Sequence, residues 1–118
     1  MVIYIAHSVS FDYQQDLYEP LKKSALAKEH TFVFPHDGAE EFDSKRLLLG
    51  DCDLVIAEVS YPATGVGIEL GWADVFEVPI ICISKSGTKV AGSLRAVSKT
   101  FIEYSTSEEL VSKIAENL

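Results

Sequence analysis

Residues 53–73 read DLVIAEVSYPATGVGIELGWA. The apolar run at 54–59 is continuous rather than alternating, which is typical of a strand buried on both faces of a parallel sheet. A short polar turn follows this run, and the apolar residues of 66–76 then recur with helical spacing. A buried strand that leads through a short turn into a helix is half of a βαβ unit. These residues therefore predict an α/β fold.

The rest of the chain repeats this alternation of strand and helix. Apolar, β-branched runs predict four further strands, at 2–6, 31–34, 79–83 and 100–104. Helical spacing predicts four further helices, at 12–28, 40–49, 90–97 and 107–117. Ser107, which two acids follow, is expected to be the N-cap of the last helix, and Gly65 marks a break before the helix at 66–76. The order predicts a flavodoxin-like, doubly wound sheet of five parallel strands.

Size and composition predict one domain, residues 1–118, with a substantial core, because the chain is 47% hydrophobic and 24% charged. The net charge of -8 disfavours binding to nucleic acid. The apolar runs are too short to span a bilayer. The chain opens without a basic leader, and Cys52 and Cys82 adjoin apolar runs, as reduced core thiols do. We therefore expect a cytoplasmic protein without a nucleic-acid or membrane partner.

Ligands of doubly wound sheets bind beyond the carboxyl ends of the strands. At that edge, Gly65 and Gly67 at the mouth of a helix would let backbone N–H groups approach a phosphate or a sugar oxygen. Glu69 follows them among apolar neighbours, which tend to desolvate it. Spacing alone leaves a second interpretation open, in which Glu69 only stabilises the helix dipole and the glycines only form a turn. His7 ends the first strand and is a candidate ligand contact, but no third residue at metal spacing accompanies the histidines, so we expect no metal and no cofactor.

The run at 53–59, with Pro62 and the GVGIELG sequence at 65–71, resembles the signature of the nucleoside 2-deoxyribosyltransferase family. Within that family it is most similar to the small branch of 2'-deoxynucleoside 5'-phosphate N-hydrolases. The resemblance implies that Glu69 is a nucleophile that attacks the anomeric carbon of a 2-deoxyribosyl group and expels the base. Water or a second base then resolves the ester, as in retaining glycosidases.

The resemblance also implies binding residues. Tyr4 and Ser8 would hold the sugar and the 5'-oxygen or phosphate, although a Tyr in a buried strand is also a normal core residue. Ser93 would reach the site of a second subunit in a homodimer, although an ordinary N-cap explains it equally well.

Three positions depart from the family pattern. Ala63 stands where the phosphate-binding branch has a Ser, so Thr64 is the candidate substitute, and Ser10 stands near the position of an Arg. Lys45 occupies the ungapped position of an Asp close to the leaving base, so Asp43, two residues earlier, is the candidate second catalytic residue.

The sequence thus predicts cleavage of the N-glycosidic bond of a 2'-deoxynucleoside or its 5'-monophosphate, with hydrolysis favoured over base transfer. It leaves the base and the need for a 5'-phosphate open. The alternative is a nucleotide-binding or sensing module that keeps the pocket without turnover. A Rossmann-like phosphoribohydrolase of the cytokinin-activating type is less favoured, because its double-glycine turn and upstream Arg are absent here.

Overall fold

The computed structural model describes residues 1–38 and 44–118. Within them lies one parallel sheet of five strands in the order β2-β1-β3-β4-β5. The strands are β1 (Val2–His7), β2 (Thr31–Val33), β3 (Leu54–Glu58), β4 (Ile80–Lys85) and β5 (Thr100–Tyr104). This order confirms the flavodoxin-like prediction. The strand order reverses between β1 and β3, and in folds of this kind that is where a ligand crevice opens.

The helices are α1 (Glu19–Lys23), α2 (Leu26–Glu29), α3 (Ser44–Gly50), α4 (Thr64–Val75) and α5 (Ser107–Glu116). The prediction of one helix at 12–28 is wrong. A π-helical turn at Gln14–Tyr18 leads into α1, which stops where Ser24 turns extended and its hydroxyl donates to the carbonyl of Leu21 at 2.7 Å. The short helix expected at 90–97 is a 3-10 helix, Gly92–Ala96.

Two predicted helix starts also need correction. Helix α4 begins at Thr64 after an extended Ala63, so Gly65 lies inside the first turn and does not mark a break. The N-cap of α5 is Thr106, whose hydroxyl accepts the backbone N–H of Glu109 at 3.1 Å. Ser107 is the first residue of that helix instead, one position after the residue whose hydroxyl caps it.

The sheet separates two core layers, because successive strand side chains point to opposite faces. Leu54 and Ile56 of β3 face the layer formed with the π-helical turn, α1 and α5, whereas Val55 and Ala57 face the layer formed with α3 and α4. The four apolar residues of β3 are buried, as their continuous run predicts, and Glu58 at the end of the strand is buried as well. We call these the first and the second layer.

Both cysteines are free thiols, and Cys82 is buried in the second layer. Among the helices that the structure describes, none is both long and apolar enough to cross a bilayer.

Candidate active site

The Glu69 carboxylate lies on the second-layer side of the sheet, where three elements meet. Helix α4 carries it, the phenol of Tyr4 on β1 donates a hydrogen bond to its Oε2, and Ser44 at the start of α3 forms another side-chain hydrogen bond with it. Tyr4 is buried and pairs across the sheet with Val55 of β3. These partners hold a half-buried carboxylate in one orientation at the place where the strand order reverses.

Burial dominates the electrostatics of this carboxylate. It raises the pKa of Glu69 above the usual glutamate range, while the hydrogen bonds of Tyr4 and Ser44 and the nearby His36 act in the opposite direction. Burial likewise raises the pKa of the Tyr4 phenol, and its bond to Glu69 adds to that shift. Tyr4 is therefore protonated and a hydrogen-bond donor at neutral pH. The arrangement supplies an oriented, poorly solvated carboxylate, which is chemically suited to attack an anomeric carbon.

His7 lies on the first-layer side of the same edge, and both of its ring nitrogens have partners. Nδ1 lies 2.8 Å from the carbonyl oxygen of Ser8, so it must carry the proton, and Nε2 accepts from the hydroxyl of Tyr18 at 2.5 Å. Tyr18 in turn accepts the backbone N–H of His36 at 3.1 Å. Burial is the main cause that lowers the pKa of His7, which favours the neutral ring. A contact between His7 and substrate stays a prediction.

Ser8 follows β1 and forms a hydrogen-bonded turn with Ser10. Its hydroxyl lies 2.7 Å from that of Ser10 and accepts the Ser10 backbone N–H at 3.0 Å. Ser8 is buried and Ser10 exposed. Ser10, which stands near the family's Arg position, therefore supports the Ser8 hydroxyl.

A cavity of ≈ 370 Å³ lies at the start of α4, and its described lining residues do not include Glu69. Thr64, Gly67 and Ser93 line it together, and Lys89 brings a cation to it. This volume lies in the range of small-molecule sites. A Cβ added at Gly65 or at Gly67 would meet nothing within 4 Å. The backbone of this first turn is thus open to a ligand.

Five of the predicted site residues form two groups, while His7 and Ser8 lie at the end of β1. Tyr4 and Glu69 are hydrogen-bonded to each other, whereas Thr64, Gly67 and Ser93 share the cavity. Asp43, the predicted second catalytic residue, lies outside the described residues.

Three residues that lie near the site cannot be identified from the sequence. Ser44 contacts both Tyr4 and Glu69, but a serine beside the expected Asp carries no distinguishing pattern. The sequence marks His36 only as a possible metal ligand, and it does not show that the chain beyond β4 brings Lys89 to the start of α4. Within the described residues, no group of three His, Cys, Asp or Glu side chains could hold a metal ion.

Curated proteins with similar sequences match about half of the chain, whereas no protein-family model matches it. A stretch of 67 residues is 34% identical to a putative 2'-deoxynucleoside 5'-phosphate N-hydrolase of Trichoplax adhaerens. A stretch of 65 residues is 37% identical to a 5-hydroxymethyl-dUMP N-hydrolase of Mus musculus. Each match covers 52% of this chain, but only 46% of the first relative and 38% of the second.

Solved structures match over the whole chain. A CMP N-glycosidase of Clostridium botulinum superposes with a TM-score of 0.71 at 21% identity, and both chains are covered completely. A conserved protein from Enterococcus faecalis V583 superposes with a TM-score of 0.60 at 19% identity, over 100% of this chain and 99% of its own. The resemblance predicted from the sequence is therefore confirmed: this chain is similar in sequence to 2'-deoxynucleoside 5'-phosphate N-hydrolases and has the fold of a CMP N-glycosidase.

Proposed function

We propose that this protein is an enzyme that hydrolyses the N-glycosidic bond of a 2'-deoxynucleoside or its 5'-monophosphate, with Glu69 as the nucleophile. The observation that carries the proposal is the half-buried Glu69 carboxylate, which Tyr4 and Ser44 orient by hydrogen bonds. The names of the two curated relatives describe N-hydrolases of nucleotides, and the name of the structural neighbour describes an N-glycosidase. All three point to the same bond.

The proposed reaction uses one carboxylate, that of Glu69, on one face of the sugar ring. A Glu69 oxygen forms a bond to C1' as the C1'–N bond breaks, and the base leaves with the electron pair and takes up a proton. Asp43 is the predicted source of that proton. Water then cleaves the ester, which releases the sugar and regenerates the carboxylate. Throughout, Tyr4 would keep the free oxygen of Glu69 pointed away from the reacting bond.

The 5' end of the substrate would be held by hydroxyl and backbone N–H groups. Ser8, Thr64 and Ser93 supply hydroxyls, and Gly65 and Gly67 leave the first turn of α4 uncovered. The N-terminus of a helix favours negative charge, which suits a phosphate or an electron-rich oxygen.

The decisive test is incubation with a matched panel of deoxynucleosides, their 5'-monophosphates and the ribo counterparts, with free base measured by chromatography. We expect base from the deoxy substrates first, because a 2'-hydroxyl withdraws electrons from the oxocarbenium-like transition state and crowds the carboxylate. CMP belongs in the panel, because the structural neighbour is named for it. Equal rates on ribo and deoxyribo substrates would indicate a ribohydrolase. Tight binding without free base would instead favour the nucleotide-binding module.

Hydrolysis and base transfer are separated by adding a second, labelled base to the same reaction. We expect free base and free sugar, without label in the nucleoside pool. Labelled nucleoside would mean that a second base, and not water, resolves the ester.

A further inference from the structure

A second glutamate, Glu58, ends β3 and is completely buried, on the opposite face of the sheet from Glu69. Both of its carboxylate oxygens are engaged. Oε1 accepts the backbone N–H of Ser60 at 2.6 Å, and Oε2 accepts the phenol O–H of Tyr104 at the end of β5. Since the side chain has no exposed surface, it cannot touch a substrate, and the mechanism above does not use it.

The bond to Ser60 fixes the start of the loop that leads into α4. The Ser60 hydroxyl accepts the backbone N–H of Lys85 at 2.8 Å, and the Lys85 ammonium group donates to the hydroxyl of Tyr61 at 3.1 Å. The Tyr61 ring stacks on Phe11 with ring centroids 4.9 Å apart. The loop is thus tied to β4, to β5 through Glu58, and to the loop after β1.

These ties matter because α4 has a weak start of its own. Its N-cap residue is Ala63, whose methyl group cannot accept a backbone N–H as a capping hydroxyl or carboxylate does. Two of the first residues of the helix, Gly65 and Gly67, favour the helical conformation less than other residues do. The position of the first turn therefore depends on the loop before it, and Glu69 and the cavity both depend on that turn.

We propose that Glu58 is a positioning residue, which clamps the loop at 60–63 so that α4 presents Glu69 and the adjoining cavity in the reactive geometry. The inference rests on the proposed function for its catalytic consequence, but the clamping of the loop does not depend on it. A carboxylate suits this role better than an amide, because it accepts from two donors, the Ser60 N–H and the Tyr104 hydroxyl. A Gln at this position accepts from Ser60 with its carbonyl oxygen and can donate to the Tyr104 oxygen, so it keeps the clamp.

The test compares Glu58→Leu, which leaves the Ser60 N–H without its acceptor, with Glu58→Gln and with Ile114→Val. The last variant removes one buried methyl group from α5 in the same layer and serves as the control for lost stability. We expect kcat for base release to fall about 10- to 100-fold in Glu58→Leu, because a displaced nucleophile loses near-attack geometry. Glu58→Gln is expected to restore kcat to within about 3-fold of wild type, and Ile114→Val to leave it unchanged.

Amide hydrogen exchange of residues 60–67 is measured on the same variants. We expect it to be about 10-fold faster in Glu58→Leu only, since local opening sets exchange rates. This readout is independent of turnover. If the wild type releases no base from any substrate, the proposed function is wrong, and exchange alone then decides whether Glu58 clamps the loop.

Three results would overturn the inference: unchanged exchange at 60–67 in Glu58→Leu, an equal loss of kcat in Ile114→Val, or no rescue by Glu58→Gln. If Glu58→Leu does not fold, Tyr104→Phe takes its place. It removes one hydroxyl and leaves the Ser60 bond in place, so it should speed exchange and lower kcat to a smaller extent than Glu58→Leu.

Discussion

The Glu69 carboxylate is the one side chain on which the proposed chemistry depends. Glu69→Gln keeps the size of the side chain and an oxygen that can accept from Tyr4, but it removes the negative charge that attacks C1'. We expect base release to fall by several orders of magnitude, as losses of nucleophiles do, while circular dichroism stays unchanged. Asp74→Asn, at an exposed position of the same helix, is the matched control and should retain wild-type activity. A folded Glu69→Gln with full activity would exclude the mechanism.

The pH profile should report the burial of this carboxylate. Burial raises the pKa of Glu69, and only the ionised form attacks, so activity should fall on acidification at a pH above the ordinary glutamate range. The Tyr4 hydrogen bond lowers that pKa, so Tyr4→Phe should move the acid limb of kcat/KM to still higher pH. If the acid limb of kcat/KM is unchanged in Tyr4→Phe, a group other than Glu69 determines that limb.

Glu69→Gln should lose activity but gain thermal stability at a pH where Glu69 is ionised in the wild type. A carboxyl group whose pKa is raised by folding destabilises the folded state when it is ionised. The penalty is full above the raised pKa, and it vanishes once the pH falls below the unfolded-state pKa. Glu69→Gln should therefore melt at a higher temperature than wild type at about pH 8, and the two should converge near about pH 4. A lower Tm for Glu69→Gln at about pH 8 would contradict the burial cost.

The sequence predicted Tyr4 and Glu69 because a resemblance supplied their roles, and the structure pairs the two by a hydrogen bond. It could not predict Ser44 or His36 as neighbours of Glu69, because each comes from a different element and only the fold brings them close. Glu58 was missed for another reason. A single acid at the end of an apolar run indicates where a strand stops, and the partner that explains its burial, Tyr104, lies 46 residues further along the chain.

At the scale of elements, α4 carries glycines inside the helix, where glycine is less favourable than alanine. Gly67 lies inside it and lines the cavity, and a Cβ there would meet nothing within 4 Å. Gly67→Ala should thus stabilise the helix by about 1 kcal/mol, while the added methyl group occupies ligand space and raises KM. Gly50→Ala, at the far end of α3 and with equally open space, is the control that should leave KM unchanged. If KM is unaltered in Gly67→Ala, this face of α4 does not bind the substrate.

The predicted strands agree with the structure more closely than the predicted helices do, for a physical reason. Strands buried on both faces produce uninterrupted apolar runs, which β1, β3 and β4 all have. In the segment at 12–28, Leu17, Leu21 and Leu26 are all buried, so the pattern correctly identified the inner face. It could not show that Ser24 interrupts the backbone, because a side chain that bonds to a local carbonyl leaves the apolar spacing intact.

On the scale of the whole molecule, α4 is apolar on its outer side as well as on its core side. Ile68 is 49% exposed and Val75 is 74% exposed, with the half-buried Trp72 between them at helical spacing. Such a stripe is typical of a helix that packs against another surface. It adjoins the turn that carries Glu69, and a two-fold dimer would use the same stripe on both copies. This is the physical support for the homodimer that the resemblance implies.

The separate positions of Ser93, in the cavity, and Glu69 lead to a test of that dimer. Ser93 lines the cavity with Thr64 and Gly67, whereas Glu69 is not among the described residues that line it. The resemblance implies that Ser93 serves the site of a second copy. We therefore expect Glu69→Ala and Ser93→Asp, each inactive alone, to regain activity when they are unfolded and refolded together. In a mixed dimer one site receives both defects and the other receives neither.

Random pairing makes half of the dimers mixed, and each has one intact site, so the mixture should reach about a quarter of wild-type activity. Refolding Glu69→Ala with Glu69→Gln is the control, because both chains lack the nucleophile and no intact site can form. Mixed dimers proven by mass spectrometry that stay inactive would mean that each chain completes its own site. Ser93 would then act only in the cavity that it shares with Thr64 and Gly67.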